Sequence, residues 1–321
     1  MPLIQQSTYN PPYGFRNHHI QTIFPQVFRV VRGIHYVRER IDTPDDDFLD
    51  LDWLPINSDR CAILVHGLEG HSNRPYMQAM AKALRRKGWD AVSMNHRGCS
   101  GEPNRLLRSY HQGSSDDLYT VIKHVVSKKY RTIVIVGFSL GGNVLLKYLG
   151  EKQFPIPKEL CCAIAVSAPC DLLSCAHKMD LRASSFYTMR FLKKLHKKII
   201  AKRSLFPNEI IRCEYNKIKT FKEHDNRFTA PFNGFSSAED YYTKCSSLQF
   251  LESISLPTLI INSQDDPFLT PQCSPKEIVQ QSQFLHLETP EHGGHLGFIS
   301  FKNNQEYWHE TRTLTFIDEI T

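Results

Sequence analysis

Residues 131–150 read RTIVIVGFSLGGNVLLKYLG. A β-branched run, Thr132 to Val136, leads directly into Gly137-Phe138-Ser139-Leu140-Gly141-Gly142, and NVLLKYL then continues with helical spacing. A strand that passes so abruptly into a helix must bend sharply. Glycines two residues either side of the bend leave room where a Cβ would strike neighbouring backbone. Such a corner holds the serine in a strained conformation with its hydroxyl exposed. The free N–H groups and positive dipole end of the following helix point at the same spot. G-x-S-x-G occurs by chance, and a serine in a tight glycine turn is the bland alternative. Here strand and helix flank the motif in the required order, so Ser139 is the candidate nucleophile.

The flanking sequence repeats the same rhythm. CAILVHG (61–67) and WDAVSMNHRG (89–98) are short apolar runs that end in glycine. Between them PYMQAMAKALRRKG places Met77, Met80, Ala81 and Leu84 on one helical face, with Gly88 as a stop. SSDDLYTVIKHVVSKK is helical, with Ser115 or Asp116 expected as its cap. CCAIAVSAP, LPTLIINS and FLHLE supply further strands, and NQEYWHETRTLTFIDEI closes as a helix. Strand and helix in alternation predict an α/β fold, a mostly parallel sheet with helices on both faces. HYVRERIDT (35–43) and FLDLDWL (48–54) flank PDDD and predict an N-terminal antiparallel hairpin. Residues 1–34 have weak periodicity and are expected to form an N-terminal arm before a domain spanning 35–321. Residues 171–250 break the rhythm and predict a helical cap inserted at the sheet edge where ligands bind.

A chain of 321 residues, 41% apolar, can bury a large core without covalent staples. Its nine cysteines are odd in number and include no CxxC pair, which fits free thiols in a reducing, cytoplasmic setting. The first 21 residues show no basic start followed by an apolar stretch, so no secretory leader is expected. A net charge of +6 is far from that of a dedicated nucleic-acid binder.

A serine hydroxyl is a weak nucleophile and needs a base, which in turn needs an orienting carboxylate. On this kind of sheet they follow in the order serine, acid, histidine. LIINSQDDPFL offers Asp265 and Asp266 after a late strand, and Asp266 is favoured, with Asp265 as a turn or capping residue. PEHGGHLGF offers His292 and His295, and His295 is favoured because it comes last, before the apolar LGF. His292 is then a surface or supporting residue, and HGGH lacks the further ligands of a metal site. A developing oxyanion needs two donors. The backbone N–H of Leu140 is one, and the N–H of Leu68 in LVHGLEG is the other, with Gly67 allowing close approach. His66 is expected to orient that loop. The chemistry requires neither cofactor nor metal.

HGLEG, NHRGCSGEPNR, SYHQG, GFSLGGNVLLKYLGE, VSAPCDL, DDPFL and EHGGHLGF together resemble the α/β-hydrolase superfamily. Within it the chain is most similar to subfamily 4, which includes bacterial esterases and the yeast medium-chain ethyl-ester synthase/esterases. RNHHIQTIFP and DDDFLDLDW extend the resemblance over nearly the whole chain. It implies hydrolysis of carboxylic esters, acylglycerol or other lipid esters among them, with nucleophile, acid and base on Ser139, Asp266 and His295. The same acyl-enzyme could pass its acyl group to an alcohol, as in an acyltransferase. A non-catalytic binding protein on this fold usually lacks a member of the triad, and all three are present.

Three further features allow two readings each. MRFLKKLHKKIIAKR (189–203) has seven Lys or Arg and no acid, with Leu192, Leu195 and Ile199 able to share a face. That suits a helix in peripheral contact with a membrane surface, or a cap helix whose apolar side faces the core. EHDNRFTAPFNGF (223–235) suits an acyl pocket or the interior of the cap. Cys99 follows a strand on the active edge, where a structural role is expected because no base lies nearby in sequence.

Overall fold

The structure, a computed structural model, describes residues 3–181, 184–210, 215–301 and 306–321. Cys213 lies outside them. One sheet of nine strands organises the chain: β1 (Leu3–Ile4), β2 (Val37–Asp42), β3 (Phe48–Leu54), β4 (Arg60–Val65), β5 (Asp90–Asn95), β6 (Thr132–Phe138), β7 (Leu160–Val166), β8 (Thr258–Ile261) and β9 (Leu285–Glu288). Their spatial order is β1-β9-β8-β7-β6-β4-β5-β3-β2. Only the pairings of β3 with β2 and with β5 are antiparallel. The hairpin expected from 35–54 is therefore β2–β3, which pairs Val37 with Trp53 and Asp42 with Phe48.

The continuous apolar runs of β4, β6 and β7 have their cause in layers that cover both sheet faces. The main helices are α1 (His18–Phe28), α2 (Pro75–Arg86), α3 (Ser115–Ser127), α4 (Leu140–Gly150), α5 (Leu172–Asp180), α6 (Ser185–Arg203), α7 (Phe221–His224), α8 (Ala230–Phe232), α9 (Ala238–Cys245), α10 (Lys276–Gln281) and α11 (Trp308–Ile320). Successive strand residues point to opposite faces. Ile63, Ile133 and Ile135 meet Val144 and Leu145 of α4 on one side, with Val121 of α3 in the same cluster. Leu64, Val134 and Val136 meet Met77 and Met80 of α2 and Phe316 of α11 on the other. Every core strand thus buries both of its faces.

Two local expectations shift. The N-cap of α3 is Ser114, one residue ahead of Ser115, and its hydroxyl accepts the His111 amide rather than capping the helix. Residues 1–34 contribute regular elements: β1 extends the sheet alongside β9, and α1 has an 11-residue span capped by Asn17, whose side chain accepts from the His19 and Ile20 amides. The apolar period of α1 is weak because its buried positions are Gln21, Thr22 and Pro25.

The segment between β7 and β8 holds α5 to α9, with a π-helical turn at Asp225–Thr229 joining α7 to α8. It lies over the carboxyl ends of the strands. On α6, Leu192 is buried while Leu195 and Ile199 line a cavity beneath the cap. The face formed by Leu192, Leu195 and Ile199 is therefore turned inward. No helix among the described residues is long and apolar enough to cross a membrane.

Candidate active site

Ser139 sits between β6 and α4 at φ +52°, ψ −120°. A side chain gains this left-handed backbone only when the surroundings enforce it, at a cost of order 1–3 kcal/mol. Here the enforcement is close packing: a methyl on Gly137 would lie 2.5 Å from the Gly141 carbonyl oxygen. The Gly142 and Asn143 amides donate to the Ser139 carbonyl at 2.8 and 3.1 Å, so α4 starts at the serine itself.

The Ser139 hydroxyl lies 2.9 Å from His295 Nε2, and His295 Nδ1 lies 2.8 Å from Asp266 Oδ2. The carboxylate can only accept. Nδ1 therefore carries the proton, and Nε2 is left to accept from the serine. The other Asp266 oxygen accepts the Phe268 and Leu269 amides at 2.8 and 3.3 Å, and this fixes the carboxylate plane. Asp266 is 2% exposed and His295 8%.

The neighbouring pair has a different task. Asp265 Oδ1 accepts the Gly294 amide at 2.8 Å, and Oδ2 lies 3.4 Å from His292 Nδ1. Asp265 and His292 thus brace the Gly-Gly loop that delivers His295. Its far side rests on α1, where the Thr22 hydroxyl accepts the His295 amide at 3.0 Å.

Gly67 packs against the serine: a methyl there would stand 2.9 Å from Ser139 Cβ. That brings the next residue, Leu68, beside the hydroxyl. Among the described residues, neither the Leu68 nor the Leu140 amide donates to another protein group. Both residues border the cavity at Ser139. His66, fully buried, donates from Nδ1 to the Gly67 carbonyl at 2.7 Å and accepts the His96 amide on Nε2 at 3.1 Å. Burial, with His96 nearby, holds its pKa well below the ordinary value, so it is a neutral loop brace.

Sequence inspection missed several residues that hold this arrangement. Glu69, at φ +54°, ties the loop outward: its carboxylate accepts the Tyr110 hydroxyl at 2.6 Å and faces Lys198 of α6 at 2.9 Å. Arg97 joins three segments, with Asp117 at 2.7 Å, Asp45 at 2.9 Å and Asp47 at 3.0 Å. Asn143 donates to the Gln112 and Cys245 carbonyls and accepts the Ser247 amide, locking α4 to the end of the cap. The signal for these lay in the quoted motifs, HGLEG, NHRGCSGEPNR and GFSLGGNVLLKYLGE, which carry Glu69, Arg97 and Asn143. Cys99 is buried, its thiol pKa is raised by that burial, and it lies 2.8 Å from Lys198 Nζ, a structural placement.

Two cavities meet at Ser139, and both are bordered by Leu68, Phe191, Phe268 and His295. The first, about 150 Å³, runs under the cap among Leu172, Met179, Leu195, Ile199 and Phe228. Within 223–235, Phe228 lines this cavity, while Phe235 packs on His111 and Tyr241. The second, about 110 Å³, opens between the 67–74 loop, α1 and α6.

The family model described as the alpha/beta hydrolase fold matches residues 63–301. The chain is 36% identical over 296 residues to the Escherichia coli (strain K12) protein named "Putative esterase YheT", covering 90% of this chain and 86% of that one. It is 29% identical over 298 residues to human phospholipase ABHD3, covering 89% and 71%. It is 30% identical over 294 residues to the monoacylglycerol lipase of Saccharomyces cerevisiae, covering 87% and 63%. Among solved structures, the Pyrococcus furiosus esterase Pf2001 shares the fold with a TM-score of 0.61 at 18% identity, over 97% of this chain and 99% of that one. Strand order, the strained serine corner and these matches lead to one conclusion: the chain belongs to the α/β-hydrolase superfamily.

Proposed function

We propose that this protein is a serine carboxylic-ester hydrolase working through an acyl-enzyme on Ser139. The reading rests on one observation, the unbroken hydrogen-bonded line from Ser139 Oγ to His295 to Asp266 at the junction of two cavities.

An ester enters with its acyl chain under the cap and its alcohol in the second cavity. His295 Nε2 takes the hydroxyl proton as Ser139 Oγ bonds to the carbonyl carbon, and Asp266 stabilises the resulting imidazolium. The tetrahedral oxyanion accepts from the Leu68 and Leu140 amides. Collapse breaks the bond to the alcohol oxygen, which leaves with the proton from His295. Water, deprotonated by the same imidazole, then releases the acid and restores the serine.

The apolar lining of the first cavity suits an acyl chain, and the names of the human and yeast relatives point to phospholipid and acylglycerol esters. The second cavity could admit an alcohol in place of water, so ethyl-ester formation in added ethanol would mark acyl transfer. Met189 and Ile200 are exposed on α6 beside its cations, which supports peripheral contact of 189–203 with an anionic membrane. Co-sedimentation with anionic vesicles at low salt tests that part. A reducing, cytoplasmic location is supported by the buried thiols of Cys175 and Cys273, which are free and hydrogen-bonded to each other at 3.4 Å.

The decisive experiment combines fluorophosphonate labelling with p-nitrophenyl esters of graded chain length. Labelling at Ser139 and turnover abolished by Ser139→Ala are expected. Turnover unchanged in that variant would overturn the mechanism.

A further inference from the structure

The two cavities at Ser139 differ in charge. Apolar side chains predominate around the first, whose charged residues are one cation, Lys198, and one carboxylate, Asp225. The charged residues of the second are Glu69, Arg74, Arg190 and Lys194. Glu69 is already committed to Tyr110 and Lys198. Arg74 donates to the Glu69 backbone carbonyl at 2.9 Å, which leaves its charge uncompensated. Among the described residues, none of Arg74, Arg190 and Lys194 has a carboxylate within ion-pair distance. Three cations on a loop and a cap helix therefore converge on a cavity with no free counter-charge.

Like charges held together in a partly dry site raise one another's energy, and an anion among them relieves it. The pKa of Lys194 is lowered to about 8, by burial first and then by Arg74 and Arg190, against a smaller upward pull from Glu69. His71 beside them is lowered to about 4, by burial and then by Arg74 and Lys194.

We propose that the second cavity recognises a phosphate group carried on the alcohol half of the ester, held by Arg74, Arg190 and Lys194. Guanidinium groups match phosphate oxygens in a planar, two-pronged geometry, and a lysine adds a point charge. The inference rests on the ester-hydrolase reading for its orientation. The acyl group passes to Ser139 Oγ, and the phosphate-bearing alcohol departs on the cationic side with the proton from His295. A phosphomonoester and a phosphodiester headgroup share this chemistry, and the substrates below separate them.

The test uses the full-length protein in two arms. In the first, kcat/KM is measured on three short-chain esters with the same acyl group: 1-acylglycerol, 1-acylglycerol 3-phosphate and 1-acylglycero-3-phosphocholine. A preference of roughly tenfold or more for the phosphate-bearing esters is expected, carried mainly by KM. Preference for the monoester alone identifies a terminal phosphate, preference for the phosphocholine ester alone identifies a diester headgroup, and equal preference identifies recognition of the phosphate that both share. Arg190→Met and Lys194→Met should bring the ratio of anionic to neutral ester toward one, and Lys194→Arg should restore it. In the second arm, calorimetry follows glycerol 3-phosphate and glycerol added to Ser139→Ala. Glycerol 3-phosphate should bind and glycerol should not, and Lys194→Met should abolish the heat. Hydrolysis without charge preference, together with no glycerol 3-phosphate binding, overturns this proposal and leaves the ester-hydrolase reading standing. Lys194-dependent binding with no ester cleaved upholds the cationic site and overturns the parent reading.

Discussion

The Thr22 hydroxyl accepts the backbone N–H of His295 at 3.0 Å, across 273 positions of sequence. The same hydroxyl donates to the His18 carbonyl at 2.7 Å, and the neighbouring Gln21 accepts the Ile299 amide. The imidazole is thus positioned from both ends of the chain. Thr22→Val keeps the shape and removes the acceptor, leaving a buried amide unpaired. It should lower unfolding free energy by about 1–3 kcal/mol, read by urea denaturation, and should reduce kcat more than it raises KM.

Asp266→Asn preserves volume but lets the side-chain amide donate toward His295, favouring the wrong tautomer. In a comparable triad this costs on the order of 10⁴-fold in kcat. Ester turnover should fall by a similar factor while the fold, read by circular dichroism, persists. A loss below tenfold would mean that Asp266 does not orient the base.

Arg97 is nearly fully buried against Asp45, Asp47 and Asp117. Arg97→Met would strand buried carboxylates, and breaking such a pair costs about 3–5 kcal/mol. Acid should do related damage. Burial raises the pKa of Asp45, but hydrogen bonds from Arg97 and Thr43 outweigh it and bring the value to about 2, from an ordinary 3.8. Its contribution is therefore present above about pH 4 and lost as pH falls toward 2. The acid-unfolding midpoint of the native protein should lie low and should move to higher pH in Arg97→Met.

Lys194 carries a pH signature. The groups facing it are Arg74, Arg190, Lys198, the Glu69 carboxylate and His71. Its ammonium loses its proton as pH rises through about 8. A phosphomonoester, with its second pKa near 6, keeps its charge over that interval. Hence kcat/KM for a phosphate-bearing ester should fall between pH 7 and 9 relative to the neutral ester. Lys194→Arg should flatten the fall, because a guanidinium stays charged.

Ala176 of α5 borders the apolar cavity. Ala176→Phe adds bulk where the acyl chain would lie. The preferred chain in a p-nitrophenyl ester series should shorten, with fluorophosphonate labelling of Ser139 retained. An unshifted preference would locate the acyl chain elsewhere.

Much of this molecule is written locally. Apolar runs such as AILV and TIVIV, short, mostly β-branched and soon followed by glycine, read as strands buried on two faces, and they alternate with amphipathic helices, so the sheet and its layers are legible without coordinates. The serine corner is legible too, because its glycines answer a steric demand within five residues. The sequence narrows the candidate acid to Asp265 or Asp266 and the candidate base to His292 or His295. Adjacent residues in a turn point in different directions, so only the tertiary structure sets Asp266 against His295 and Asp265 against the Gly-Gly loop. The meeting of Asp45, Asp47, Arg97 and Asp117 and the convergence of Arg74, Arg190 and Lys194 on one cavity were equally hidden. Local periodicity records which face of an element is apolar, whereas the charges that meet across a fold depend on how distant elements cross.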